Sequence, residues 1–317
     1  MEKAMVMKKI PANKTRGGIR IIKRFKKEWL LHLMIVPAFV ITLIFSYGPI
    51  YGLIMAFQDF SPALGFQNSP FIGLDNFEWI FSQPAFVRAI YNTLFISLFK
   101  IALGIAASVL FALLLNEIGN IYMKRLFQTI VYIPHFISWI ILAGIMQIVL
   151  ASDGMLNSVI MAMGGNDVPF LASPSIFAWT MIWSDVWKSF GFGTVVYLAA
   201  ITSINPELYE SAVIDGAGRL KQTYYITLPM LGPIIVLMLT LALGSVLNAG
   251  FDQIFNLYHP VVYSTGDIID TYIFRLGLQD GRFSIAAAVG LFRSVVSLVM
   301  ISVSLYTAYK FANYRIF

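Results

Sequence analysis

Residues 205–233 read Asn205-Pro206-Glu207-Leu208-Tyr209-Glu210-Ser211-Ala212-Val213-Ile214-Asp215-Gly216-Ala217-Gly218-Arg219-Leu220-Lys221-Gln222-Thr223-Tyr224-Tyr225-Ile226-Thr227-Leu228-Pro229-Met230-Leu231-Gly232-Pro233. Asn205 carries the side-chain oxygen that caps the free amides of a first helical turn. Pro206 has the φ of a first helical residue, and Glu207 meets the positive end of the helix. Gly216 permits a turn that a residue with a side chain resists, and residues 218–226 are predicted to form a second short helix. Pro229 and Pro233 fall at the entry of a long apolar run, where a missing amide donor costs least. The stretch is thus predicted as helix, turn and helix leading into an apolar segment. Its mixture of small, acidic and aromatic residues is too polar for lipid and too apolar to be left bare. It suits a groove in a soluble partner.

The surrounding chain sets that knob in a membrane protein. Of 317 residues, 58% are apolar and 12% charged, against about 45–50% and about 25% in soluble domains. This composition excludes a disordered chain, a coiled coil and most water-soluble enzymes. There is no cysteine, which removes disulfides, thiolate metal sites and a Cys nucleophile, and His32, His135 and His259 are too scattered to suggest a metal site. A bilayer core of about 30 Å is crossed by roughly 20 apolar helical residues. Six stretches qualify: 30–57, 89–115, 126–150, 176–201, 228–256 and 285–310. They do not alternate as barrel strands do, so the expected fold is an all-α membrane domain over 30–310 with six transmembrane helices. Proline at 37, 49 and 134 is expected to kink its span.

Basic residues orient the bundle. Ten of the 22 Lys and Arg precede Trp29, in an arm (1–29) that runs straight into apolar sequence. That context points to a membrane flank rather than to nucleic acid. The arm is long and no small-residue cleavage site follows it, so a removable signal is not expected. With Lys124, Arg125, Arg219, Lys221, Lys310 and Arg315, sixteen basic residues fall on one side, against Arg88, Arg275 and Arg282 on the other. Both termini, the tail 311–317 and the segment 205–229 are therefore expected in the cytoplasm of a multi-pass plasma-membrane protein. In the outer loop 58–88, Asp75 is expected to cap a short aromatic helix.

The 205–233 segment resembles the EAA loop of ABC importer permeases, whose pattern is Glu-Ala-Ala, three residues, Gly, nine residues, Ile, one residue, Leu-Pro. Glu210-Ser211-Ala212, Gly216, Ile226 and Leu228-Pro229 match it in order and spacing, with Ser211 as the one small-for-small departure. Asp215-Gly216-Ala217 matches the fuller form of carbohydrate importers. Tyr47-Gly48-Pro49-Ile50-Tyr51-Gly52, Gly73-Leu74-Asp75-Asn76-Phe77, Asn92-Thr93-Leu94, Pro134-His135-Phe136 and Asp270-Thr271-Tyr272 are similar to stretches in oligosaccharide and polysaccharide permeases of Gram-positive bacteria. The resemblance implies the maltose-type permease fold with cytoplasmic coupling helices. It implies a second, homologous permease, two ATPase subunits that bind ATP and Mg, and an extracellular solute-binding protein. Glu210, Ser211, Ala212, Asp215, Gly216 and Ala217 would then be the core docked into the ATPase. The chain has no Gly-Lys pair and so no P-loop of its own. No catalytic constellation or cofactor site is evident, which makes it a transport subunit rather than an enzyme.

Charged groups inside a membrane are functional candidates by default. Trp179, Trp183, Asp185, Trp187, Lys188 and Tyr197 mark the fourth expected span, Asn248 and Asp252 the fifth, and Arg293 the sixth. Tryptophan faces stack on sugar rings and charged groups hydrogen-bond hydroxyls or carboxylates, so these residues form a candidate carbohydrate path. Lys188 and Arg293 hint at an acidic saccharide. The structural alternative pairs Asp185 with Lys188 at helical spacing, pairs Asp252 with Arg293, and leaves the tryptophans as packing. Lys100 either snorkels to a head group or lines the path. Two rival functions remain on sequence alone: an ion-gradient-driven transporter, and an ABC permease for a non-sugar solute.

Overall fold

The computed structural model describes residues 28–312; the expected basic arm before residue 28 and the tail beyond 312 lie outside the described residues. The chain divides into two compact units after Ile54. The first contains α1 (Trp29–Thr42), which passes into a wider turn over Leu43–Tyr47 and a tighter helix from Gly48. Pro37 lies inside α1. Pro49 falls in the tight segment rather than in an α-helix, so it marks a change of helix type.

The second unit begins at Met55. Two short helices, α2 (Gly65–Asn68) and α3 (Asp75–Ser82), precede α4 (Pro84–Glu117). Leu74, not Asp75, is the cap of α3; Asp75 is its first helical residue, where an acid still favours the positive end. Then come α5 (Ile121–Phe136), α6 (Trp139–Val149), α7 (Met155–Ala162) and α8 (Pro174–Thr202). The remainder holds α9 (Pro206–Ile214), α10 (Arg219–Gln222), α11 (Leu228–Gly244), α12 (Phe251–Leu257), α13 (Tyr263–Gly266), α14 (Ile269–Phe274) and α15 (Phe283–Ala312). Among the described residues there is no strand, only an isolated bridge between Gln58 and Phe71.

The structure corrects the expected spans in two places. Residues 126–150 are not one rod: α5 and α6 meet at an angle of 101°. Pro134 withdraws an amide there, and Ser138 starts a new helix by accepting from the Ile141 amide. The fifth run, expected through 256, stops at Gly244 and resumes at Phe251, across a turn containing Gly250 at φ 93. α8 has 29 residues, long enough to cross. Asp185, Lys188 and its serines and tryptophans make it less apolar than the others. Among the described residues, four helices are long and apolar enough to cross a membrane, or five if the bent pair counts as one span.

Packing centres on α4 against α8. Ile96 of α4 meets Leu142 and Met146 of α6, Phe177, Met181 and Ile182 of α8, and Ile254 of α12 in one core. Phe86 and Ala89 of α4 join Ile80, Tyr272, Ala288 and Val289 in a second. Val109 and Ala112 share a third with Tyr197, Ile201 and Leu231. Lipid offers no hydrophobic drive between helices, so close approach and hydrogen bonds must hold them. Ser108 donates to the Phe190 carbonyl at 3.0 Å, and Thr194 donates back to the Ser108 carbonyl at 3.2 Å. Gly193 leaves room beside the Ser108 hydroxyl, and a Cβ on Gly191 would overlap the Val131 carbonyl of α5.

Gly191→Val should therefore lower the detergent melting temperature and the membrane yield, by overpacking worth about 1–3 kcal/mol. Gly104→Ala, in open space on α4, should leave both unchanged.

Candidate functional site

Between α8 and α11 the local signals resolve into a compact knob. The Asn205 side chain accepts from the Glu207 amide at 3.1 Å and starts α9. At the other end the Gly216 amide donates to the Val213 carbonyl at 3.0 Å and the Ala217 amide to the Ala212 carbonyl at 2.8 Å. With Gly216 at φ 76, this is the Schellman ending of a helix, which requires a residue at ease in the left-handed region. Gln222 donates to the Ala217 carbonyl at 2.8 Å and folds α10 back onto the turn. The expected second helix is α only over Arg219–Gln222 and widens over Thr223–Thr227 before α11.

Glu210, Ser211, Asp215 and Gly216 face outward, while Ala212 and Ala217 are half-buried. The apolar tips Ile214 and Leu220 are 86% and 87% exposed, so the knob is finished inside and bare outside. Two contacts join it to the bundle. The Tyr209 hydroxyl lies 2.9 Å from the Thr227 hydroxyl at the base of α11, and Arg219 pairs with Glu117 at the end of α4 at 3.1 Å.

The candidate path residues do not form one cluster. Trp179, Trp183 and Trp187 line one face of α8 and, with Leu142, Met146 and Phe170, bound a groove of about 710 Å³. Trp179 packs edge-on to Phe99, centroids 4.9 Å apart. Asp185 lies on another face, in a polar cleft of about 200 Å³ with Ser97, Lys100, Ser245 and Asn248. Asn248 also borders a third hollow of about 490 Å³, with Asp270, Arg293, Phe251 and Phe274. Tyr197 belongs to none of them: it is 3% exposed, in the core with Val109 and Leu231. Asp252 is exposed on the first turn of α12.

Both ion pairs expected from the sequence, Asp185 with Lys188 and Asp252 with Arg293, are replaced. Asp185 faces Lys100 at 3.6 Å rather than Lys188. Lys188 instead donates to the His135 carbonyl at 2.8 Å, at the bend between α5 and α6, and lies 5.4 Å from the Trp139 ring centre. The His135 ring stacks on Phe192 at 4.2 Å. Arg293 pairs with Asp270 at 2.7 Å rather than with Asp252, because α14 packs against α15. Lys100 does not reach a head group; its side chain is 9% exposed.

Sequence reasoning passed over Gln253, which is fully buried yet polar, and the knot between α13 and α14. There Asp267 binds Arg275 through two bonds, 2.5 and 3.1 Å, and Tyr263 and Tyr272 flank the guanidinium. Burial alone would lower the Arg275 guanidinium, but its bonds to Asp267 outweigh that and hold it above its ordinary range. Burial pushes the Tyr258 hydroxyl beside them up to about 12. The signal was present in sequence as an acid and a base eight residues apart, but that spacing becomes a contact only around the turn that starts α14. Among the described residues no group of three His, Asp or Glu is placed to hold a metal.

Residues 101–311 match the family described as binding-protein-dependent transport system inner membrane component. The chain belongs to that family. It is 38% identical to protein LplB of Bacillus subtilis (strain 168) over 301 residues, covering 95% of each chain. It is 37% identical to the polygalacturonan/rhamnogalacturonan transport system permease protein YteP of the same organism, over 94% of this chain and 93% of the relative. Among solved structures it matches a chain of a bacterial ABC transporter involved in the import of the acidic polysaccharide alginate. The identity is 42% and the TM-score 0.85, over 92% of this chain and 99% of that one. A second alginate ABC transporter structure, in complex with alginate pentasaccharide-bound periplasmic protein, matches at 41% identity and TM-score 0.84. The fold is thus that of an ABC importer permease, a multi-pass component of the membrane.

Asp267→Ala should strip the charge partner from Arg275 in its aromatic cage and destabilise the protein by about 3–5 kcal/mol. Thermal unfolding in detergent reads the loss; the double variant Asp267→Ala, Arg275→Met should recover part of it.

Proposed function

We propose that this chain is one of two permease subunits of an ATP-driven importer of saccharide chains, and that Glu210, Ser211, Ala212, Asp215, Gly216 and Ala217 form the surface through which partner ATPases drive it. The knob between α8 and α11 carries this reading. Its backbone is closed by its own hydrogen bonds, its apolar tips Ile214 and Leu220 are bare, and one of its ends is bonded to the base of α11. A push on such a knob is delivered to a helix. The partner subunits hold ATP and Mg, the termini lie in the cytoplasm, and a binding protein presents the cargo from outside.

Oligosaccharide or polysaccharide fragments bearing carboxylates are the substrate class. The support is the similarity to permeases named for polygalacturonan and for alginate, both acidic polymers. The α8 tryptophan row, Asn248, Asp252 and the Arg293–Asp270 pair are the path residues in this reading. Arg293 is already matched by Asp270, so its net attraction for an acidic cargo is smaller than its charge suggests. The tryptophan groove offers sugar rings an apolar face.

Gly216→Pro or Glu210→Lys should abolish saccharide uptake while the chain remains in the membrane at normal level; normal uptake by either variant would reject the docking assignment. Uptake of uronate oligomers should also persist in cells whose membrane potential is collapsed while ATP is kept high, and unlabelled amino acids or phosphate should not compete with it.

A further inference from the structure

α11 ends at Gly244 and α12 begins at Phe251. The stretch between them is unwound within a bundle meant for lipid, where stray carbonyls find no water. The Ala249 carbonyl belongs to such a residue, 1% exposed. It accepts from the Lys100 ammonium at 2.7 Å. The same ammonium donates to the Gln253 side-chain oxygen and faces Asp185 at 3.6 Å. Gln253 in turn donates to the Met181 carbonyl and the Ser184 hydroxyl, both at 2.8 Å. One cation from α4 therefore ties together α8, α12 and the unwound stretch.

Gly250 is adapted to that cation twice over. Its φ of 93 disfavours any side chain, and a Cβ there would lie 3.1 Å from the Lys100 nitrogen. Its amide donates to the Asn248 side chain at 3.3 Å. Asn248 borders both the cleft with Lys100 and Asp185 and the hollow with Asp270 and Arg293. The Ser97 hydroxyl, in the same cleft, is buried with no hydrogen-bond partner.

We propose that Lys100 is a positioning residue, whose ammonium pins the unwound stretch 245–250 to α4 and α8 and so sets where Asn248 stands in the translocation path. The inference rests on the reading of Asn248 as a path residue. The two members of the pair have separable roles. Asp185, beyond hydrogen-bond distance, contributes counter-charge. Lys100 contributes the donors that the Ala249 carbonyl and Gln253 require. A buried ion pair kept only for its charges can be replaced by neutral groups with little loss. A donor to an unwound backbone cannot be replaced by an apolar side chain.

That difference supplies the test, in the assembled importer with its ATPases and binding protein. Lys100→Met combined with Asp185→Asn removes both charges together. The variant should reach the membrane normally and keep the ATP hydrolysis stimulated by loaded binding protein. Uptake of uronate oligomers should fall about tenfold, the size expected from a lost charged hydrogen bond. Lys100→Arg, which restores charged donors, should recover part of that uptake. Should the double variant fail to insert, Gly250→Ala crowds the ammonium with every charge kept and should give the same split between hydrolysis and uptake. Wild-type uptake by the inserted variant, or uptake and stimulated hydrolysis falling together, would overturn the proposal. Asn248→Ala, run in parallel, separates the two layers. If its uptake is normal, the path reading fails and takes the proposal with it. If it is impaired while the double variant is normal, only the role of Lys100 fails.

Discussion

A polar group surrounded by lipid has to find its partner within the protein, and the interior of this bundle is arranged around three cations that each bond to a partner within it. Lys100 is answered by Asp185, the Ala249 carbonyl and Gln253. Arg293 is answered by Asp270. Lys188 is answered by the His135 carbonyl where α5 bends into α6. Two of the three, Lys100 and Lys188, donate to backbone at or beside a break in a helix. At those two positions the break exposes a carbonyl, and the cation satisfies it.

This arrangement needs α4 and α8 to run close together, since Lys100 and Asp185 belong to different helices. Small and hydroxylated residues make that possible. Ser108 and Thr194 bond across the contact, and Gly193 admits Ser108. All three apolar cores draw residues from α4 or α8 and from the helices around them. A displacement of α8 would be felt at the tryptophan groove and at the cleft beside Asn248.

The knob between α8 and α11 follows different rules. The closure of its backbone depends on no distant charge. A capped start, a Schellman ending and a folded-back short helix close its backbone locally. That self-sufficiency lets it expose Ile214 and Leu220 and still hold its shape. Its links to the Thr227 hydroxyl and to Glu117 put a rigid surface element at the ends of α11 and α4, the helix whose unwound end carries Asn248 and the helix that carries Lys100.

What can be read along the chain is what local chemistry governs. Apolar run length, the cap at Asn205, the left-handed turn at Gly216 and the proline-marked entry to α11 depend on residues a few positions apart, and the helical membrane fold and the shape of the knob are legible from them. The partner of each buried charge is not. Helical spacing favours Asp185 with Lys188, and shared polarity favours Asp252 with Arg293, but both acids or their bases turn elsewhere once α4 packs on α8 and α14 on α15. Nor does composition show that the fifth run is interrupted, because Val246 and Leu247 are as apolar as any spanning residue; the chain unwinds there where Lys100 of α4 can satisfy its Ala249 carbonyl. Local order comes from sequence neighbours, whereas the matching of charges in a medium without water is settled by residues on different helices, Lys100 with Asp185 and Asp270 with Arg293, and only the packed bundle brings those together.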